Sequence, residues 1–597
     1  MSERMKAPDE YWANVGLIVI GVVAVVLGVQ AAVVAIIAAL TGAGFPPLGA
    51  GELLVLWAQP DPTVVTGQAL GPLVHWLLVA TLTALLVAPA LLWWWRRNRT
   101  RAGDTLKRGL ANPAQLRKVA GQTQLVRRAA ALRPSLEDKS RIHPEDVGYC
   151  LGKASGVPIW MSVEDSMILV GPSRSGKGFN FIVPMLTKAM GAVVTTSTRA
   201  DNLELTIEHR KRRGGPVWVF DPAGVAAGAG NTLRWSPLTG ADDVDVAMRR
   251  LASLIPGDGF EGVQNSGYWE ATSKKIILAL FHAAALDNRT MHDFWAWMSD
   301  PVLAKSQALD VLSTHPRADR HVARSLDAVL SGSAEQRGND WAAAYADVAF
   351  LASPKVREAL VPNSTEDFDA FDFIMKRGTL YMIGDAASAA AFEPVIVTLL
   401  EEISSVAQGI AGASPGKRVD PPVQFILDEA ANFKIPTLPK LISYAGGSGL
   451  TVIVVLQSIS QAEMAWGREG AKAMWGASSL KMVLPGGSDP ADLRDLETLI
   501  GEVELERYSF TTGGGGGVSH QYAREEKRVL RASEIRTLPA GTGLVFFRQL
   551  KPAMVKLTPW VDMLIAKQLR EDQRIVAKRM AAASPYASRM HAHTSGA

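Results

Sequence analysis

One stretch of this 597-residue sequence has the residue types and spacing to grip a phosphate: Gly171-Pro172-Ser173-Arg174-Ser175-Gly176-Lys177-Gly178. Its glycines let backbone N–H groups turn inward around phosphate oxygens, at the positive end of a following helix. Lys177 closes the loop and can reach the β- and γ-phosphates of a nucleotide. The apolar run Met167–Val170 precedes the loop and a predicted helix, Phe179–Ala189, follows it. That strand–loop–helix context is what a P-loop requires. The general motif ends in Lys-Ser or Lys-Thr, whose hydroxyl binds Mg2+. Here Gly178 holds that place, so the direct hydroxyl ligand is missing and water must fill the coordination position.

A second stretch supplies acids. The apolar run Val423–Leu427 ends in Asp428-Glu429-Ala430. A carboxylate at a strand end can hold the Mg2+ shell, which is the role expected of Asp428. Glu429 is placed to accept a proton from an attacking water. Together with the loop upstream, these acids predict ATP hydrolysis, with ATP and Mg2+ as the cofactors. A third apolar run, Val452–Leu456, ends in Gln457-Ser458. Gln457 either caps a buried strand or, beside Asp428, senses the γ-phosphate or orients water.

Residues at the ends of separate strands cooperate only if those strands run side by side. From about Val147 short Val- and Ile-rich runs alternate with longer helical stretches: Met167–Val170, Ala192–Thr195, Val217–Phe220, Thr379–Ile383, Phe425–Leu427, Thr451–Leu456, Lys481–Leu484 and Thr542–Phe547. Continuous apolar strands alternating with helices predict an α/β fold with a mostly parallel sheet covered on both faces. Between about Asn288 and Ala346 the alternation stops, and Met291–Trp297, Pro301–Leu312 and Arg317–Leu330 read as helices of a small all-α insertion. Five consecutive glycines, Gly513 to Gly517, predict a mobile loop. The last thirty or so residues begin helical and end as a polar Ala/Ser/His-rich tail expected to be disordered.

The N-terminal part follows a different pattern. Val15 to Leu40 is apolar without a charge, and Leu70 to Trp95 is apolar apart from His75 and Pro89. Each is long enough to cross a hydrocarbon core of about 30 Å. Trp93, Trp94 and Trp95 end the second run where an interfacial aromatic belt belongs, and Arg96, Arg97, Arg99 and Arg101 follow. The intervening residues 41–69 lack Lys and Arg, whereas the N-terminal tail has Arg4 and Lys6. The positive-inside rule then puts both termini in the cytoplasm, in a multi-pass inner (plasma) membrane protein. From Arg96 to Arg141 thirteen Lys/Arg face three acids, which suits a linker held near anionic lipid or a DNA-contacting collar. Elsewhere charge is balanced, 62 basic against 58 acidic residues, so any nucleic-acid contact must be local. The single cysteine, Cys150, rules out an intramolecular disulfide and a cysteine-rich zinc site. The expected layout is a tail (1–13), a two-helix anchor (14–96), a basic linker (97–146), a nucleotide-binding domain in two parts (147–287 and 347–565), the insertion (288–346), and a C-terminal helix and tail (566–597).

In this order the motifs resemble the type IV secretion coupling proteins, TraG/TraD-like conjugative P-loop ATPases. The resemblance is carried by the two spans, the loop 171–178, Thr196-Ser197-Thr198-Arg199-Ala200-Asp201, Val219–Gly224, Trp235-Ser236-Pro237-Leu238, Leu427–Ala430 and Gln457–Gln461. Members of that family often carry glycine after the P-loop lysine. The resemblance implies a RecA-like nucleotide-binding domain, a membrane-distal all-α domain and a homo-hexameric ring. It also implies relaxase-bound single-stranded DNA (the relaxosome) as cargo and type IV secretion channel components as partners. Ring ATPases use an arginine from a neighbouring subunit, and Arg174, Arg199 and Arg468 are the candidates. Two alternatives stay open: a receptor for secreted effector proteins, and an FtsK-like double-stranded DNA translocase.

Overall fold

A computed structural model of the protein describes residues 109–584 except 137–141, 231, 256–265, 363–367, 385–388 and 513–517. Nearer the N-terminus it describes 25, 27–42, 44, 47–59, 61, 71–85 and 88, and near the C-terminus 586 and 587. The chain divides into two units, Met1–Thr105 and Leu106–Ala597.

In the first unit both apolar runs are helical where described, at Leu27–Thr41 and Pro72–Leu85. Val29, Val33 and Ile37 of one helix are buried with Val79 of the other. Buried Gln30 Oε1 lies 3.0 Å from His75 Nε2. Pairing these two polar groups between apolar helices lowers the cost of burying them. The outer parts of both runs, Trp93–Trp95 and the arginine cluster lie outside the described residues, as does the Gly513–Gly517 loop.

The second unit is built on strands β1 (Gly148–Ala154), β2 (Val157–Ser162), β3 (Met167–Val170), β4 (Val193–Ser197), β5 (Val217–Phe220), β6 (Thr379–Ile383), β7 (Val423–Leu427), β8 (Leu450–Leu456), β9 (Leu480–Val483), β10 (Glu502–Thr512), β11 (Val518–Arg528), β12 (Thr542–Phe547) and β13 (Ala553–Leu557). Eleven form one sheet in the order β2-β1-β13-β12-β9-β3-β8-β7-β4-β6-β5, and β10 pairs with β11 as a separate hairpin. From β9 to β5 every pairing is parallel. From β2 to β9 the pairings are antiparallel.

The parallel strands are largely apolar and buried because helices cover both faces. Ile168 and Val170 pack into one core layer, with Leu251, Ile276 and Val395. Met167 and Leu169 pack into the other, with Phe181, Leu203 and Val576. The long apolar helix Ala391–Ala413 belongs to the first layer, where Val395, Ile396, Leu399 and Ile403 are fully buried. Its hydropathy therefore reflects core packing.

Helices Ser266–Leu286, Met291–Ser299, Pro301–Ser306, Ala308–Thr314, Arg320–Leu330 and Ala334–Asp347 follow one another without a strand. Local capping starts several of them. Thr290, Asp300, Asp319 and Ser333 each accept a backbone N–H in the first turn. The stretch expected as one helix, Pro301–Leu312, breaks at Gln307, whose Oε1 accepts from Trp297 Nε1 at 2.8 Å.

A buried ion pair joins Val244–Leu254 to the long helix. Arg250 donates from Nη2 to Glu402 Oε1 at 2.8 Å, from Nε to Oε2 at 3.1 Å and from Nη1 to the Pro237 carbonyl at 2.9 Å. Burial alone would raise the Glu402 carboxyl, but the hydrogen bond and charge of Arg250 more than reverse this and hold it below the usual range. A carboxyl lower in the folded than in the unfolded chain stabilises the fold above its unfolded value, and that share is lost as pH falls. We expect Arg250→Ala to cost about 3–5 kcal/mol near neutral pH, because the Glu402 carboxylate is left buried and unpaired. Urea unfolding should show the penalty shrinking as pH falls below the usual 4.5 of a Glu carboxyl. Equal midpoints at pH 7 would mean the pair stabilises nothing.

Candidate active site

Parallel register brings the expected residues to one edge. β3 pairs Val170 with Leu456 of β8, and β7 pairs Leu427 with Val454 of β8. β8 therefore separates the phosphate loop from the acids, and all three strands end on the same side. This is the crevice at the carboxyl ends of parallel strands where α/β folds bind ligands.

The loop leaves β3 with the Gly171 N–H donating to the Leu456 carbonyl at 3.0 Å. It then needs two left-handed residues, Arg174 at φ 64° and Gly176 at φ 83°. Gly176 is required for a second reason: a Cβ there would sit 2.4 Å from Asn180 Nδ2. Asn180 in turn donates from Nδ2 to the Gly176 carbonyl at 3.1 Å. The expected helix after the loop opens with a wide π-turn, Gly178–Ile182, and continues as α-helix over Val183–Lys188. Pro184 lacks the N–H that an α-helical turn would give to the Asn180 carbonyl, which accounts for the wide turn. Ser173 and Arg174 are exposed. Ser175 Oγ is buried and makes no hydrogen bond. Lys177 Nζ donates to the Gly171 carbonyl at 2.8 Å, folded back over its own loop. Burial lowers its pKa, and the charges of Asp428 and Glu429 partly offset this.

The acids sit where β7 ends. Glu429 takes the left-handed conformation, φ 52°, which breaks the strand after Asp428. Asp428 is 8% exposed, and its carboxyl is pushed up to about 6, first by burial and then by the charge of Glu429, against the pull of Lys177. Thr196 Oγ1 donates to the Asp428 carbonyl at 2.8 Å. Thr198 Oγ1 donates to Glu429 Oε2, and Asn432 Nδ2 donates to the same oxygen at 3.4 Å. Asn202 Nδ2 reaches Asp428 Oδ2 at 3.4 Å, while its Oδ1 lies 2.7 Å from where a Cβ on Gly178 would be. One amide thus spans from the end of the phosphate loop to the acid. Thr196 and Thr198 belong to a segment that carries the family resemblance but was assigned no chemistry, and Asn180 and Asn202 lie outside every motif read from the sequence. The available signal was a run of polar residues directly after β4, the strand beside β7.

Gln457 follows the last residue of β8, between the two halves. Its N–H donates to Gln461 Oε1 at 3.0 Å, and it lines a cavity of about 460 Å3 with Gly171, Pro172, Leu484, Asp489 and Asp492. Arg174, Arg199 and Arg468 are all exposed. Arg199 pairs with Asp201 at 3.0 Å and Arg468 lies 4.0 Å from Glu463.

The donor set suits Mg2+. Among the described residues no three His, Cys, Asp or Glu side chains cluster as a metal site. Mg2+ is commonly held by one or two carboxylates together with substrate phosphates and water. A buried aspartate whose charge is disfavoured by a second acid would gain from such a cation.

A family model described as type IV secretory system conjugative DNA transfer matches residues 134–585, well over half of the chain. The chain belongs to this family. Among the relatives of this chain, the VirD4 protein of Rhizobium radiobacter is 20% identical over 448 residues, covering 71% of this chain and 62% of the relative. A conjugal transfer protein TraG of Escherichia coli is 20% identical over 408 residues, 63% of this chain and 62% of the relative. The chain thus spans a little over three-fifths of the curated relatives it matches. The bacterial conjugative coupling protein TrwBdeltaN70 shares the fold, with a TM-score of 0.52 at 18% identity, covering 74% of this chain and 92% of that one. TrwB in complex with ADP and Mg2+ matches with a TM-score of 0.50.

Gly176→Ala should abolish nucleotide binding, since the new methyl meets Asn180 and the residue needs a left-handed φ. Fluorescent-nucleotide titration should show the loss while circular dichroism stays that of the parent. Unchanged affinity would mean the loop does not hold phosphate.

Proposed function

We propose that this protein is a membrane-anchored coupling ATPase of a conjugative type IV secretion system, which takes relaxase-bound single-stranded DNA and drives it into the secretion channel. One observation carries the enzymatic part: Lys177, closing a phosphate loop, feels the charges of Asp428 and Glu429 across the ends of parallel strands that flank β8. Membership of the conjugative DNA-transfer family supports the cargo. The fold likeness to TrwB in complex with ADP and Mg2+ supports the cofactors.

In this reading the backbone N–H groups of residues 171–178 cradle the phosphates and Lys177 leaves the Gly171 carbonyl to reach them. Asp428 would hold Mg2+, which supplies charge neutralisation at the β- and γ-phosphates. Glu429, fixed by Thr198 and Asn432, accepts the proton of the water that attacks the γ-phosphorus as the bond to the ADP oxygen breaks. Gln457 is the candidate relay between phosphate state and the neighbouring β7 strand. The RecA-like domain works in a homo-hexamer, with one of Arg174, Arg199 and Arg468 serving the neighbouring subunit's site. Residues 14–96 anchor the ring in the inner membrane by two spans with both termini cytoplasmic, and the basic residues 97–146 lie at the membrane face. The all-α segment 288–346 selects the relaxosome.

Glu429→Gln should bind ATP as the parent does and hydrolyse it at least a hundredfold more slowly, a proton-transfer loss of about 10²–10⁴. Loss of binding instead would move Glu429 from chemistry to folding. Single-stranded DNA should stimulate turnover, with an affinity that falls steeply as salt rises. Stimulation by duplex DNA alone would favour the double-stranded translocase, and stimulation by neither would favour a protein cargo.

A further inference from the structure

The phosphate loop lacks the usual hydroxyl at Gly178, and an oxygen from another element lies beside that position. A side chain on Gly178 would collide with Asn202, whose Oδ1 lies 2.7 Å from the place its Cβ would take. The same carboxamide turns its nitrogen to Asp428 Oδ2, at 3.4 Å. The helix that carries this amide is itself fixed in place. Asn202 stands in the first turn of helix Asp201–Arg212, and its carbonyl accepts from Thr206 Oγ1 at 2.6 Å. Thr206 Oγ1 also lies 2.8 Å from the buried Tyr381 hydroxyl. Further along the helix, buried Arg210 donates to Thr379 Oγ1 at 2.8 Å and to the carbonyls of Ala189 and Gly191 at 2.9 and 3.1 Å. The helix is therefore held to β6 at its middle and near its C-terminal end. A neutral amide oxygen is a hard ligand that can bind Mg2+ directly or accept a hydrogen bond from one of its waters.

We infer that Asn202 replaces the missing P-loop hydroxyl, offering Oδ1 to the Mg2+ shell of a bound nucleotide while Nδ2 orients Asp428. Gly178 and Asn202 are then one device: glycine after the lysine makes room for an oxygen supplied from the helix that follows β4. The inference rests on the nucleotide site proposed above. Asn202 is a positioning residue under this reading, and its effect must appear in metal-dependent binding and not in nucleotide binding alone.

The test is equilibrium binding of fluorescent ADP to the full-length detergent-solubilised protein, in EDTA and in Mg2+, with Mn2+·ADP affinity read by electron paramagnetic resonance. Asn202→Ala should bind ADP in EDTA as the parent does, lose the tightening that Mg2+ gives, and weaken Mn2+·ADP about 10–100-fold. Gly178→Ser alone should also weaken Mn2+·ADP, because its side chain meets Asn202. The double variant, Asn202→Ala with Gly178→Ser, should recover the metal effect, since the hydroxyl now occupies the space the carboxamide leaves. This variant also keeps the test decisive should Asn202→Ala alone fold poorly. A full metal effect in Asn202→Ala, or a double variant no better than Asn202→Ala, overturns the role given to Asn202 while leaving the nucleotide site intact. A parent that binds no ADP in either buffer, or binds it equally well as Lys177→Ala, overturns both.

Discussion

Parallel pairing of three strands is the constraint on which the rest depends. A P-loop and an acid pair more than two hundred residues apart meet only because β3, β8 and β7 run the same way in register. Each strand is buried on both faces, so slipping by one residue would turn apolar side chains from one filled core layer into the other. The two layers are thus what aligns the chemistry. Ile168 and Val170 are held by one layer and Met167 and Leu169 by the other. The loop that follows inherits its position from that double anchorage.

At the shared edge the electrostatics are uneven in a useful way. Lys177 is the cation among two acids, and burial disfavours the charge of both Lys177 and Asp428. Lys177 rests on the Gly171 carbonyl, a neutral partner from its own loop. A nucleotide would bring phosphates to Lys177 and a cation to Asp428 together, so that each charge gains a partner. Glu429 is treated differently from its neighbour. A left-handed backbone turns it away from the strand line, and Thr198 and Asn432 hold its carboxylate. Two adjacent acids in different environments can take different roles, one toward the metal and one toward water.

Much of this was legible in the sequence because the signals were local and redundant. The apolar runs Met167–Val170, Val217–Phe220, Thr379–Ile383 and Thr542–Phe547 coincide with β3, β5, β6 and β12. The loop residues announce themselves by glycine placement. The antiparallel end of the sheet was harder to read. β1 carries two glycines and a lysine, so no apolar run marks it, and its place is fixed by pairing with β13 some four hundred residues later. The hairpin β10–β11 is polar along much of its length and gives no core signal either. Helix ends were blurred where a single side chain decided them, as at Gln307, whose contact with Trp297 is tertiary.

The roles of the residues around the acids were not legible, for a physical reason that bears on how such sites are read. Thr196, Thr198 and Asn202 lie at or just after the end of β4, a strand whose own motif carries no recognisable chemistry. Their importance comes from the pairing of β4 with β7, which sets Thr196 beside Leu427 and so next to Asp428. A sequence motif records what one segment does, whereas a site in a parallel sheet is assembled from the ends of adjacent strands. Gly178 shows the consequence. Read along the chain it is a missing ligand. Read across the sheet it is the clearance that a carboxamide on the next element needs, and the two readings imply opposite effects for putting the serine back.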